Sequence, residues 1–154
     1  MPSIHPSLAG GLLALSMLFT PLFALATDLV YPVGQVSDND PGLVLKRVRQ
    51  SADSTQLFLE YNERESSARI GTYPPGHPDS FRLIDPASGR EYALRAVKGI
   101  ATAPDFDETE DGDSLEFSLE FEPVAVRRFD LREGMQKGEE DEVMWHISGI
   151  RLQP

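Results

Sequence analysis

The chain has 154 residues, with 25 acidic against 14 basic side chains, a net charge of −11 and no cysteine. One domain accounts for that length, and the acidity disfavours a nucleic-acid backbone or an anionic membrane surface as partner. Without cysteine there are no disulfides, thiolate metal sites or cysteine nucleophiles. The fold must rest on its apolar core, for which 40% hydrophobic residues suffice.

Residues 12–25, LLALSMLFTPLFAL, form an apolar run shorter than the about 20 residues a membrane-spanning helix requires. The run ends in Ala24-Leu25-Ala26 before polar Thr27-Asp28, the small-residue pattern of a signal-peptidase site, and Pro21 breaks the helix ahead of it. Residues 1–26 therefore read as a cleaved signal peptide, although residues 1–11 lack the usual Lys or Arg. The mature chain is expected to be periplasmic or secreted, with no membrane attachment after cleavage. Residues 27–42 hold two Pro, two Gly and the polar cluster at 37–40, which predicts an irregular leader and turn ahead of a domain at 43–154.

From residue 43 onward, short alternating runs broken by turn residues predict antiparallel strands. The first covers 43–49; the second, after a turn at 51–54, places Leu57, Leu59 and Tyr61 on one face. A weaker strand is expected at 68–72, before the proline-rich loop at 73–78. Residues 81–84 and 92–97 form a hairpin around Asp85-Pro86-Ala87-Ser88-Gly89. The clearest strand is 114–121, where Leu115, Phe117, Leu119 and Phe121 alternate with Ser114, Glu116, Ser118 and Glu120, as in an antiparallel sheet with one wet face. Strands at 124–131 and 143–147 follow, separated by a Gly- and Glu-rich turn at 134–142, with Gly149 as a bulge. Alternation with Val143 and Ile147 puts Trp145 in the core. Seven or eight such strands, and no helical periodicity, predict an all-β fold of two packed antiparallel sheets, a sandwich.

Four stretches carry a family resemblance: Gly99-Ile100 with Pro104, Phe117-Ser118-Leu119-Glu120-Phe121-Glu122-Pro123, Phe129-Asp130-Leu131-Arg132-Glu133-Gly134, and Trp145-His146-Ile147-Ser148-Gly149-Ile150-Arg151-Leu152. On these residues the segment 43–152 resembles the small immunoglobulin-like β-sandwich domains of unknown function found in exported bacterial proteins. The resemblance implies an immunoglobulin-like sandwich and transfers no catalytic residue.

The most conspicuous chemistry is acidic. Asp105, Asp107, Glu108, Glu110, Asp111 and Asp113 place six carboxylates within nine residues. Oxygen-rich loops bind calcium, and Asp107, Thr109, Asp111 and Gly112 align with the start of an EF-hand loop, but the position of its bidentate Glu falls on Ser118 and no helix flanks it. A solvated loop, a calcium site and a docking patch for a basic protein are the alternatives. A second acidic run, at 139–142, reads as a solvated turn. Met144 and His146 share a strand face opposite Trp145, a thioether and an imidazole suited to copper(I), yet they need His77 or Met135 to complete a site. The loop holding Tyr73 and His77 among three prolines is a rigid aromatic feature of the kind that recognises ligands. Lys46, Arg47, Arg49, Arg127, Arg128 and Arg132 form either a positive patch or simple pairs with carboxylates on adjacent strands.

Catalytic signatures are missing: there is no Gly-x-Ser-x-Gly elbow, phosphate-cradling Gly-rich loop or His-Glu-x-x-His motif. Paired-carboxylate hydrolysis stays open as a third reading, since 25 acids offer many pairs, but acids clustered in loops rather than isolated among apolar residues give little reason to expect a raised carboxyl pKa. The expected function is that of an exported, non-catalytic, cofactor-free sandwich that binds another protein as accessory, adaptor or inhibitor. Its contact residues would be Asp105, Asp107, Glu108, Glu110, Asp111, Asp113, Tyr73 and His77. The alternative is a periplasmic metal-binding protein, using the 105–113 loop for calcium or Met144 and His146 for copper.

Overall fold

The computed structural model describes residues 28–64, 67–134 and 144–153. The apolar run at 12–25, with the signal-peptide reading it carries, Met135 and the acidic run at 139–142 lie outside the described residues. The strands are β1 (Leu29–Val36), β2 (Leu43–Gln50), β3 (Thr55–Asn62), β4 (Ser67–Ile70), β5 (Arg82–Ile84), β6 (Glu91–Lys98), β7 (Asp107–Glu110), β8 (Ser114–Phe121), β9 (Arg128–Arg132) and β10 (His146–Arg151). Eight of them form one antiparallel sheet in the order β1-β2-β3-β8-β6-β5-β9-β10, and β4 and β7 make a separate two-stranded ribbon. No helix occurs among the described residues.

The all-β, antiparallel class expected from the alternation is what forms. It does not take the shape of two separate sheets: the strands are hydrogen-bonded into one continuous, barrel-like sheet. The physical reason is that a sheet with one apolar face must bury that face, and this one buries it on itself. Leu57, Leu59, Leu83, Phe117, Leu119, Phe121, Phe129, Leu131, Ile147 and Ile150 all point into one core. Strand β6 acts as the corner, its residues 91–93 pairing with β5 and 94–98 with β8, with a register break between Leu94 and Ala96. Further breaks at 32/35, 45/47 and 147/150 supply the local bending that closure requires.

The two ends of the sheet meet across a seam made mostly by side chains. The Asp38 amide donates to the His146 carbonyl at 2.9 Å and the Ser37 hydroxyl to the same oxygen at 2.8 Å. The Gln35 amide group reaches the Ser148 carbonyl at 2.7 Å, and the Asp38 carboxylate accepts the Ser148 amide at 2.9 Å. Residues 37–40, read from composition as a turn, thus also do the sealing.

Several elements match expectation closely: β8 has the expected limits, β5 and β6 form the expected hairpin, and the chain is irregular at Gly149. Trp145 is buried, 5.5 Å from Tyr61, 6.1 Å from Phe117 and 6.4 Å from Phe81 between ring centroids. Four elements differ. The closing strand expected at 143–147 starts only at His146 and runs to Arg151, leaving Met144 and Trp145 outside it. Strand β1 occupies residues read as an irregular leader; Pro32 is tolerated because an edge strand need not donate on both sides, and Gly34, at φ +68°, sits in the bulge. Strand β7 occupies part of the acidic stretch read as a loop, because β4 offers it a partner with Arg69 directly across from Glu108. Residues 124–127 are not a strand, and β9 begins only at Arg128.

Gly99 follows β6 with φ +86°, and a Cβ there would stand 2.6 Å from the Glu116 carbonyl oxygen of β8. Gly99→Ala therefore combines left-handed backbone strain with a clash against an immovable strand. We expect a loss of about 1–3 kcal/mol, measured by urea unfolding of the variant against the parent chain.

Candidate binding cavity

At one end of the barrel, between the end of β3, the β4–β7 ribbon and the start of β10, lies a cavity of about 660 Å³. Its aromatic lining is Tyr61, Tyr73 and Trp145, and Asp40, Glu63 and Glu133 bring carboxylates to the same space. The indole nitrogen of Trp145 donates to Asp40 Oδ2 at 2.8 Å, while Asp40 Oδ1 accepts the Gly42 amide at 2.8 Å. Glu63 Oε1 accepts the Arg64 amide at 2.9 Å, and its Oε2 accepts the Thr109 hydroxyl of β7 at 3.0 Å. One buried carboxylate therefore ties the ribbon to the barrel.

Glu133 is strongly perturbed. It is 7% exposed, its Oε1 accepts the Thr72 hydroxyl at 2.5 Å and its Oε2 accepts the Trp145 amide at 3.3 Å. Burial pushes its carboxyl up to about 7; hydrogen bonds from Thr72, Trp145 and the Tyr73 backbone pull the other way, and the nearby charge of Asp79 adds to the rise. This overturns the expectation that no carboxyl here would be raised. The signal was present in the alternation: Glu133 continues the inward parity of Phe129 and Leu131, and Glu63 that of Leu57, Leu59 and Tyr61. Both acids lie one step beyond their strands on the apolar face, where a loop reading hides them.

The expected contact residues divide. Tyr73 and Asp105 line the cavity together. His77 stacks on Tyr73 with ring centroids 4.3 Å apart, and its Nδ1 accepts the Asp79 amide at 3.1 Å, so it stiffens the loop at the rim. The others are not gathered there. Asp107 accepts the Ala101 amide at 2.7 Å, Glu108 is exposed on the ribbon opposite Arg69, and Asp113 accepts the Glu110 amide at 2.9 Å in the turn before β8, with Asp111 exposed beside it. Arg69 lies over the Phe106 ring at 4.4 Å. Among the described residues no three His, Cys, Asp or Glu side chains converge on a point that can hold a metal ion. Met144 lines the cavity and packs against Gly134, whereas His146 lies at the seam, its Nε2 3.7 Å from Asp38, so the pair is divided between two environments. Of the basic residues, Lys46 pairs with Glu60 at 3.2 Å and Arg49 with Asp28, as the pairing reading expected, whereas Arg47 lies over the Phe58 ring at 4.1 Å and Arg127, Arg128 and Arg132 have no ion pair among the described residues.

Comparison with known proteins finds no matching family model, no curated protein of similar sequence and no solved structure of similar fold. The functional reading therefore rests on the cavity and its rim.

The folded chain holds the Glu133 proton more tightly than an exposed Glu with the ordinary value of 4.5 does. The unfolded chain releases that proton first, so this group's contribution is fully present below pH 4.5 and is lost as pH rises to about 7. We expect about 2–3 kcal/mol of stability to disappear between pH 4.5 and 8 on this account. Urea unfolding of Glu133→Gln, which has no proton to lose, should show a pH profile flatter by that amount.

Proposed function

We propose that this chain is an exported, all-β binding module without catalytic activity, and that it recognises another protein at the cavity mouth. The observation that carries this reading is the meeting of Tyr73 and Asp105 on one cavity, although 32 positions separate the two numbers in the chain. The aromatic walls and the carboxylates of Asp40, Glu63, Asp105 and Glu133, which outnumber Arg64 and Arg69 in the same lining, complement a basic segment bearing an aromatic or long aliphatic side chain. The stacked, proline-framed Tyr73–His77 pair costs little entropy to immobilise, which favours affinity.

The test is capture of partners by C-terminally tagged full-length protein from the envelope fraction of its own cells. Tyr73→Ala and Asp105→Asn should each abolish recovery of a stoichiometric partner that elutes with moderate salt. Asn substitution of Asp107, Asp111 and Asp113 together should flatten the salt dependence while leaving part of the binding. Recovery of the same partner by all variants would refute the assignment of this surface.

A further inference from the structure

At the opposite ends of β9 and β10 from the cavity lies a second, more open groove of about 720 Å³. Pro86, Val126 and Leu152 provide its apolar lining, and Arg127, Arg128 and Arg151 project from its edges. Arg128 and Arg151 are direct cross-strand partners, and the Arg127 carbonyl accepts the Leu152 amide at 2.9 Å, fixing the two segments side by side. Like charges directly opposite each other in an antiparallel pair are unfavourable. Elsewhere the chain relieves such costs: Arg82, opposite Arg132, donates to the Gly134 carbonyl and lies 3.9 Å from Glu91. Among the described residues none of the three groove arginines is ion-paired, although the chain carries 25 carboxylates. The one acid lining the groove, Asp85, is engaged with its own turn. Its Oδ2 accepts the Ser88 hydroxyl at 2.5 Å and its Oδ1 the Ala87 amide at 2.9 Å, and these bonds hold its carboxyl below the usual range.

We propose that this groove binds a phosphate-bearing ligand, with Arg127, Arg128 and Arg151 sharing the phosphoryl oxygens. A guanidinium is a planar fork that meets a phosphate with two parallel hydrogen bonds. Three such forks exceed what a single carboxylate, with two oxygens and one charge, can satisfy; a phosphoryl group offers three oxygens and up to two charges. The net charge of −11 opposes approach to an extended anionic surface. A small soluble anion entering the groove feels mainly the charges within about one Debye length, roughly 10 Å at moderate salt. The apolar lining leaves room for the part of the ligand that bears the phosphate. This site is independent of the cavity at the other end.

The experiment titrates pyrophosphate into the full-length chain by calorimetry, with acetate as the carboxylate control. A parallel arm measures cosedimentation with phosphatidylcholine vesicles containing phosphatidic acid, whose phosphomonoester headgroup has three free oxygens, against phosphatidylcholine vesicles alone. Saturable pyrophosphate binding, weakened about tenfold or more by Arg128→Ala and by Arg151→Ala and less by the Lys replacements, supports a soluble phosphate ligand. Vesicle binding lost in the same variants, without a pyrophosphate response, supports the phosphate site but assigns it to a lipid headgroup. Both arginines are exposed and their like-charge pairing is removed, so the melting temperature of the ligand-free variants should stay constant or rise. No response to either probe, an equal response to acetate, or binding unchanged in both Ala variants would overturn the proposal.

Discussion

Everything in this structure depends on the need of a single apolar sheet face to find something to cover it. Lacking helices among its described residues, the chain covers that face by curling the sheet until β1 and β10 come together. A regular strand ladder does not complete the circle. Ser37, Asp38 and Asn39 complete it, supplying hydroxyl, carboxylate and amide groups to the backbone of β10 and of the residues just before it, where the Asn39 amide donates to the Met144 carbonyl at 2.8 Å. The cavity is a product of this solution. It opens where the curled sheet ends, and the β4–β7 ribbon, bonded through Thr109 to Glu63, closes only one side.

Two buried carboxylates at the open end set the chemical character of that cavity. A buried ionised carboxylate is tolerated only when hydrogen bonds replace lost water. Glu133 and Glu63 both find donors, from Thr72 and Trp145 in the first case and from Arg64 and Thr109 in the second. Burial still raises the Glu133 carboxyl to about 7 because desolvation outweighs those bonds. The same carboxylate connects the segment at 72–73, the end of β9 and the start of β10. Its contribution is therefore architectural as well as electrostatic.

What the sequence made legible was parity. Strict alternation at 114–121 located β8 and its inner face, and turn chemistry at 85–89 located the β5–β6 hairpin, because both signals are local. Closure was not legible, since the difference between two packed sheets and one curled sheet lies in which distant strands share hydrogen bonds. Composition misled where it was most eloquent. The acids at 105–113 suggested one solvated loop, yet β4 recruits four of those residues into a ribbon and leaves Asp105 alone of the six carboxylates on the cavity. The two buried acids of the cavity, Glu63 and Glu133, each stand one position past the end of a strand, outside any acidic cluster. Following inward parity one step past each strand would have found both.

The irregularity of β1 has a consequence of its own. Away from the seam with β10, this strand exposes Leu29 and Val30, the start of an apolar margin of the sort on which a neighbouring molecule can build another strand. Pro32 removes an amide from the middle of that margin, and the bulge with Gly34 twists it out of register. The features that disguise β1 as a linker are thus the ones that make it a poor template. A strand that looks unlike a strand is also one that copies of the protein find hard to extend into a fibre.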